Sequence, residues 1–230
     1  MKGGRPASRD RARAILFDAG GTLIRVDGER LTAAAGLSWD EGAFDRAEAA
    51  GVAAVQRLVL ERPGSTDAER LPLFLEAILS DLRIRPDERR AASERIAAEH
   101  RRSNLWSRAS TDAAPTLEAL ARRGYRMGVV SNADGRVRGL LERAGLAPFL
   151  ELVVDSSEVG FEKPDPRIFR AATDRLDLPP EACAYVGDIY EIDVLGAQAA
   201  GLHAILIGTG AAPEGVERVA KLRELLDLFP

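Results

Sequence analysis

Short apolar runs alternate with amphipathic segments over the carboxyl-terminal two-thirds of the chain. Short, mostly apolar runs predict strands, and apolar residues spaced three or four apart predict helices. The expected strands cover residues 126–131, 150–155, 182–187 and 203–208, and the expected helices cover residues 113–123, 135–144, 166–176 and 193–200. Because each intervening segment is long enough for a crossover, we expect a parallel sheet with helices on both faces.

Residues 26–108 show a different pattern, in which helical spacing is not interrupted by a convincing strand. Apolar residues recur at this spacing in two groups: Phe44, Ala47, Gly51, Ala54 and Leu58, then Leu71, Phe74, Ile78 and Leu82. A more polar third helix is expected over residues 87–105. The change of periodicity at both ends predicts a helical segment inserted into the sheet domain.

A further signal lies near the amino terminus, where an apolar run ends in a carboxylate. The run Ala14–Phe17 is followed by Asp18, two glycines and Thr22. This order is typical of a buried strand that leads into a tight loop able to hold an anion. For this stretch alone, an ordinary strand-to-loop turn is an equal alternative.

Three later segments carry polar residues at corresponding places. Ser131 and Asn132 end one apolar run, Lys163 lies in a proline-rich loop, and Asp188 and Asp193 follow a third apolar run. Since the carboxyl ends of parallel strands meet at one edge of a sheet, these groups are expected to converge there. Capping of a helix remains the alternative for the two aspartates, and a surface lysine is the alternative for Lys163.

The four segments, in this order and at these spacings, resemble the haloacid dehalogenase superfamily, whose members are mostly phosphohydrolases. The resemblance extends from about residue 14 to residue 208. It implies an α/β fold, with a Rossmann-like, doubly wound parallel sheet core over residues 13–25 and 109–230. It also implies a helical cap over residues 26–108, of the kind these hydrolases fold over the active site. Residues 1–12 are expected to be a disordered tail.

The resemblance also implies roles for individual residues. Asp18 would be the nucleophile that forms an aspartyl-phosphate, with Lys163, Ser131 and Thr22 as further catalytic groups. Loop N–H groups around Gly20, Gly21 and Asn132 would hold the phosphoryl oxygens. The metal ligands would be Asp18, the carbonyl of Gly20, Asp188 and, through water, Asp193. Three carboxylates overbalance one lysine, and hard oxygen ligands suit Mg²⁺ as the cofactor.

One position departs from the family pattern. Its phosphatases carry a second Asp two residues after the nucleophile, where it acts as general acid and base, and Gly20 stands here instead. Slow turnover, a substrate with a good leaving group, or a substitute acid such as Glu191 or Tyr190 would each be consistent with this glycine. A further alternative is a catalytically impaired relative that binds a phosphorylated ligand or a protein partner.

Related chemistries of the family fit less well. Phosphonate cleavage would need a lysine in the inserted segment, which has none, and hydrolytic dehalogenases lack the paired carboxylates Asp188 and Asp193. We therefore expect a hydrolase, a phosphatase by class, acting on a small phosphorylated metabolite.

Composition limits the remaining function classes. The 230 residues carry a net charge of −4, and 46% are hydrophobic, which is typical of a globular protein. The basic residues are interleaved with acidic ones, so no nucleic-acid partner is expected. No membrane association is expected because the apolar runs are too short to span a bilayer. The single Cys183 excludes an internal disulfide and favours a cytoplasmic location.

Overall fold

The computed structural model describes residues 9–62, 64–209 and 213–230. Within these residues the strands are β1 (Ala14–Phe17), β2 (Ile24–Val26), β3 (Trp106–Ala109), β4 (Arg126–Ser131), β5 (Leu152–Asp155), β6 (Cys183–Gly187), β7 (His203–Ile207) and β8 (Glu217–Val219). The helices are α1 (Gly28–Ala35), α2 (Glu41–Glu61), α3 (Asp67–Asp81), α4 (Pro86–Arg102), α5 (Ala113–Arg122), α6 (Val137–Arg143), α7 (Ser156–Val159), α8 (Pro166–Arg175), α9 (Leu195–Ala200) and α10 (Leu225–Leu228). None of the helices in the described part of the chain is both long enough and apolar enough to cross a bilayer.

Six strands form one sheet in the order β5-β4-β1-β6-β7-β8, and every pairing in it is parallel. This arrangement confirms the predicted α/β class with a parallel sheet flanked by helices. In the register, Phe17 at the end of β1 pairs with Val129 of β4 and with Val186 of β6. The residue after β1 therefore lies between the carboxyl ends of two neighbouring strands.

The central strands of the sheet are apolar and buried on both faces, as is usual for strands of parallel sheets. All four residues of β1 are fully buried. On one face, side chains from the strands join those of α8 and α9 in a continuous core that includes Leu16, Tyr185, Phe169 and Ala197. Packing of this kind holds the strand ends, and the loops that follow them, in fixed positions.

The chain divides into two compact units, residues 1–25 with 108–230 and residues 26–107. The second unit contains α1 to α4. Its helices start at recognisable caps: Asp40 accepts a hydrogen bond from the backbone N–H of Ala43, and Thr66 forms a capping box with Glu69. Buried Phe44, Val55, Phe74, Ile78 and Ile96 are among its core residues.

Local boundaries differ from the sequence-based expectations in several places. β2 and β3, which were not expected, pair with each other as a separate two-stranded sheet; they lie at the two ends of residues 26–108 and do not interrupt the described helices between them. α1 is an additional helix before the three that were expected. The tail expected over residues 1–12 lies outside the described residues up to residue 8, and Arg9–Arg11 form a short 3-10 helix.

Candidate active site

Asp18 lies at the carboxyl end of the central strand β1. Its backbone N–H donates to the carbonyl of Val186 (2.8 Å), which continues the ladder between β1 and β6 by one residue. The residue is 6% exposed. Burial raises the pKa of Asp18 to about 6, while attraction to Lys163 opposes this rise and repulsion from Asp193 adds to it. The carboxylate is thus costly to ionise unless positive charge lies beside it.

Lys163 supplies positive charge directly at this carboxylate. Its buried Nζ donates to Asp18 Oδ1 (2.5 Å) and to Asp193 Oδ1 (2.7 Å). Burial alone would lower the pKa of this lysine, but attraction to the two carboxylates outweighs burial and raises it. The ammonium is therefore the charged form throughout the physiological range.

Asn132 holds the backbone of the lysine in place. Its Oδ1 accepts from the N–H of Lys163 (2.7 Å), and its Nδ2 donates to the carbonyl of the same residue (3.1 Å). The side chain of Asn132, directly after β4, thus fixes the loop that carries Lys163. The preceding residue, Ser131, ends β4 and is buried.

The loop after Asp18 turns sharply before β2. Its turn bonds run from the N–H groups of Leu23 and Ile24 to the carbonyl of Ala19, and Gly20 forms an isolated bridge with Ile24. Gly21 has a φ of 83°, which favours glycine. A Cβ at Gly21 would lie 2.4 Å from Asp188 Oδ2, so this backbone passes close against the second carboxylate.

Thr22 in the same loop carries a polar atom that the protein does not satisfy. Its hydroxyl oxygen is buried and has no hydrogen-bond partner among the described residues. Such a group normally has a partner, because leaving it without one costs about 1–3 kcal/mol. A bound anion or water at this loop would supply the missing hydrogen bond.

Asp188 and Asp193 follow β6 and complete the acidic cluster. One carboxylate oxygen from each of Asp18, Asp188 and Asp193 lies within 4.8 Å of the others. Burial raises the pKa of Asp188 well above its ordinary value, and the charges of Asp193 and Asp18 raise it further. Asp193 accepts from Lys163 on Oδ1 and from the N–H of Ile189 on Oδ2, and its Oδ1 also lies 3.1 Å from the hydroxyl oxygen of Tyr185.

The cluster fits a hard divalent cation. Three carboxylates face one ammonium, so the groups carry an excess of negative charge in a mostly buried place. The side-chain atoms that could bind a cation here are all carboxylate oxygens, which is the ligand type that Mg²⁺ and Ca²⁺ prefer. A cation here would favour the ionised forms of Asp18 and Asp188, whose pKa values are raised without it.

The structure thus brings together most of the residues singled out from the sequence. Asp18, Lys163, Asp188 and Asp193 form one cluster, Asn132 is bonded to Lys163, and Gly21 lies against Asp188. Gly20, Thr22 and Ser131 lie in the adjoining loop and strand end.

Two further residues, Tyr185 and Glu191, bear on this cluster. The hydroxyl of Tyr185 accepts from Lys163 Nζ (3.0 Å), a contact that sequence reasoning missed because Tyr185 reads as part of an apolar run. Glu191, named above as a substitute acid, lies in the π-helical turn Tyr190–Val194, and its Oε2 is buried with no hydrogen-bond partner among the described residues.

Comparison with known proteins agrees with the geometry. A family model described as haloacid dehalogenase-like hydrolase matches residues 12–201. The glyceraldehyde 3-phosphate phosphatase of Methanopyrus kandleri is 30% identical over 94% of this chain and 96% of its own length. The phosphoserine phosphatase of Thermus thermophilus is 38% identical over 61% of this chain and 57% of its own length.

A further curated relative matches over a shorter part of its length, and two solved structures match over nearly the whole chain. Haloacid dehalogenase-like hydrolase domain-containing protein 3 of Mus musculus is 43% identical over 98 residues. The match covers 43% of this chain and 39% of the length of the mouse protein. A HAD phosphatase from Thermococcus onnurineus superposes with a TM-score of 0.60 at 26% identity, covering 94% of this chain and 97% of its own. The HAD-hydrolase YfnB from Bacillus subtilis, bound to magnesium, gives a TM-score of 0.68 at 20% identity over 95% of this chain and 99% of its own.

Proposed function

The chain belongs to the haloacid dehalogenase-like hydrolase family, and on that premise we propose that it is a Mg²⁺-dependent phosphatase acting through an aspartyl-phosphate on Asp18. One observation carries this proposal. The buried Asp18 carboxylate shares a hydrogen-bonded lysine with Asp193, and one carboxylate oxygen each of Asp188 and Asp193 lies within 4.8 Å of an oxygen of Asp18. In this proposal a nucleophile, a fixed positive charge and a set of metal ligands lie together at the carboxyl-terminal end of the sheet.

In the first step an oxygen of Asp18 attacks phosphorus, and the bond from phosphorus to the leaving oxygen breaks. Lys163 orients the carboxylate through Oδ1 and offsets part of the charge that a phosphate dianion brings. The hydroxyls of Thr22 and Ser131, with loop N–H groups at Gly20, Gly21 and Asn132, are proposed to bind the phosphoryl oxygens. In the second step water attacks phosphorus and releases inorganic phosphate and free Asp18.

Asp18, the carbonyl of Gly20 and Asp188 are the proposed ligands of the cation, with Asp193 acting through water. When bound, Mg²⁺ supplies positive charge that offsets the repulsion between the carboxylate and the phosphate. The charge excess of the acidic cluster supports this assignment.

A small phosphorylated metabolite is the proposed substrate class. The relatives named for phosphoserine and for glyceraldehyde 3-phosphate both act, by their names, on molecules of this kind. The free, buried thiol of Cys183 is compatible with the cytoplasmic location that we propose.

Gly20 supports a second candidate function. Without a side chain at this position the general acid and base of the family's phosphatases is absent, while the binding groups remain. A protein that binds a phosphorylated ligand with little or no turnover is therefore the alternative.

Hydrolysis of p-nitrophenyl phosphate with Mg²⁺ and with excess EDTA tests the proposal. Wild type is expected to release phosphate only with the cation, and Asp18→Asn, which keeps the shape of the side chain, is expected to be inactive. If wild type does not exceed Asp18→Asn on this substrate or on a panel of metabolites, the binding function is the better assignment.

A further inference from the structure

Tyr185 joins the hydrophobic core to the catalytic cluster. Alternation along β6 places Cys183, Tyr185 and Gly187 on the same face of the sheet. The side chain of Tyr185 is fully buried, and its ring meets that of Phe169 edge to face, with centroids 4.9 Å apart and planes at 83°. Packing therefore fixes the ring, and the hydroxyl is held at the carboxyl-terminal end of the sheet.

The hydroxyl has three polar neighbours at hydrogen-bond distance. It accepts from Lys163 Nζ (3.0 Å), and its oxygen lies 3.1 Å from both the carbonyl of Val130 and Oδ1 of Asp193. A phenol has one proton to donate, so it donates to one of these two acceptors while it receives the bond from the lysine. All of these atoms belong to the sheet or to the loops that follow it.

The bond to Tyr185 gives the third N–H group of Lys163 a partner. An ammonium has three N–H groups. They are directed to Asp18 Oδ1, Asp193 Oδ1 and Tyr185 Oη, so each one has a partner. With only the two carboxylates as acceptors, one N–H group of this buried ammonium would have no partner, and the hydroxyl of Tyr185 supplies the third acceptor.

We propose that Tyr185 is a positioning residue for the reaction, because its hydroxyl holds the Lys163 ammonium at the meeting point of Asp18 and Asp193. The Asp18 carboxylate then has one orientation for in-line attack on phosphorus. Tyr185 acts through the lysine and touches neither substrate nor cation. The inference rests on the proposed phosphatase function.

The kinetic test compares Tyr185→Phe with Tyr125→Phe. Both variants lose one hydroxyl and keep the ring, but the hydroxyl of Tyr125 is exposed and lies 3.5 Å from the carbonyl of Pro230. Loss of a hydrogen bond to a charged group should lower kcat of Tyr185→Phe about tenfold on p-nitrophenyl phosphate. KM and the Mg²⁺ concentration for half-activation should stay at wild-type values, and Tyr125→Phe should match wild type throughout.

A Tyr185→Phe variant that folds and keeps the wild-type kcat would overturn the inference and leave the proposed function intact. So would a loss seen only in KM, or an equal loss in Tyr125→Phe. An inactive wild type would instead count against the proposed function. The two failures are therefore distinguishable.

A spectroscopic test needs no activity. The chain has only three lysines, Lys2, Lys163 and Lys221, so the side-chain ammonium signals of ¹⁵N-lysine-labelled protein are few enough to assign. The three-acceptor arrangement predicts one ammonium whose protons exchange slowly with water in wild type and in Tyr125→Phe, and faster in Tyr185→Phe. If Tyr185→Phe does not fold, the wild-type spectrum still decides, because the absence of a protected lysine ammonium contradicts the arrangement.

Discussion

At the scale of single residues, two adjacent glycines in the loop after β1 have different explanations. Gly21 adopts a positive φ of 83° and leaves room for Asp188, whose Oδ2 would lie only 2.4 Å from a Cβ at this position. Gly20 stands where, on the resemblance in sequence, we expect the family's phosphatases to carry a general acid. Substitution at Gly21 therefore tests the placement of a carboxylate, and substitution at Gly20 tests the chemistry.

Gly21→Ala is expected to weaken Mg²⁺ binding because the new methyl group displaces the carboxylate of Asp188. A loss of about 10–100-fold in affinity is typical when the orientation of a metal ligand is disturbed. Gly124→Ala is the matched control, since Gly124 has a φ of 86° and, apart from its chain neighbours, no described residue has an atom within 4 Å of the place that a new methyl group would take. Calorimetric titration of both variants separates the effects, and equal Mg²⁺ affinity in the two would contradict the placement of Asp188.

Gly20→Asp is expected to raise kcat for alkyl phosphates, whose leaving groups need a proton. The upper bound is the usual gain from general acid catalysis, about 10²–10⁴-fold. Aryl phosphates leave readily and should gain less in formation of the phosphoenzyme. Rates on one alkyl and one aryl phosphate give the comparison, after melting temperature and Mg²⁺ affinity are shown to be unchanged. If such a variant gains nothing on alkyl phosphates, Gly20 does not limit turnover, and Glu191 becomes the better candidate acid.

At the scale of elements, the strands of the sheet were predictable where burial makes them apolar. The expected strand over residues 126–131 is β4 without change, and the runs for β5, β6 and β7 differ from the observed strands by one or two residues. β8 was missed because Glu217 and Arg218 make a three-residue strand polar. β3 was missed because it has no fully apolar run, and α1 was missed because few apolar residues mark its face.

The candidate site was predictable to the extent that it depends on strand ends. Asp18, Lys163, Asp188 and Asp193 converge because parallel strands end at one edge, which the sequence pattern already indicated. Tyr185 could not be recognised, since a tyrosine in a strand is most simply explained as core. Alternation along β6 indicates which face of the sheet Tyr185 lies on, but it does not reveal which groups its hydroxyl contacts.

Burial of β6 predicts low reactivity of its cysteine. Burial raises the pKa of Cys183 to about 11, so at a pH of about 8 the thiolate is roughly one part in a thousand. Because the thiolate is the reactive species, native protein should react slowly with Ellman's reagent, and protein in guanidinium should react quickly. Equal rates in the two states would show that the thiol is accessible in the folded protein.

Within the helical unit, Arg30 of α1 holds the end of α4. Its guanidinium donates to Glu99 Oε1 (2.6 Å), to the carbonyl of Ser103 (2.8 Å) and to that of Asn104 (3.2 Å). Arg30→Ala should lower the free energy of unfolding by about 1–3 kcal/mol, because the part-buried acceptors on Glu99 and Asn104 lose a charged partner. Denaturant titration measures the change.

Arg90→Ala provides the control for this prediction. Arg90 pairs with a glutamate one turn along α4, but its side chain is 90% exposed, so the pair contributes little. An equal loss of stability in both variants would contradict the role assigned to Arg30.

At the scale of the whole molecule, one parallel sheet joins groups that are far apart in the chain. Lys163 and Asp18 are separated by 145 positions, and yet their side chains form a buried ion pair. The order of the strands, with β1 between β4 and β6, is what allows loops after three strands to meet around one carboxylate. The proposed chemistry therefore depends on the sheet as a unit.

Identification of the phosphorylated residue tests the central claim most directly. Wild type is quenched in acid during turnover with Mg²⁺, and borohydride then reduces any acyl phosphate to a stable alcohol. Trypsin cleaves after Arg13 and Arg25 and releases residues 14–25, in which Asp18 is the only carboxylate side chain. The account predicts homoserine in place of Asp18 in this peptide, and only in samples quenched during turnover. An unmodified Asp18 in an enzyme that is turning over, with reduction at another carboxylate or at none, would contradict it.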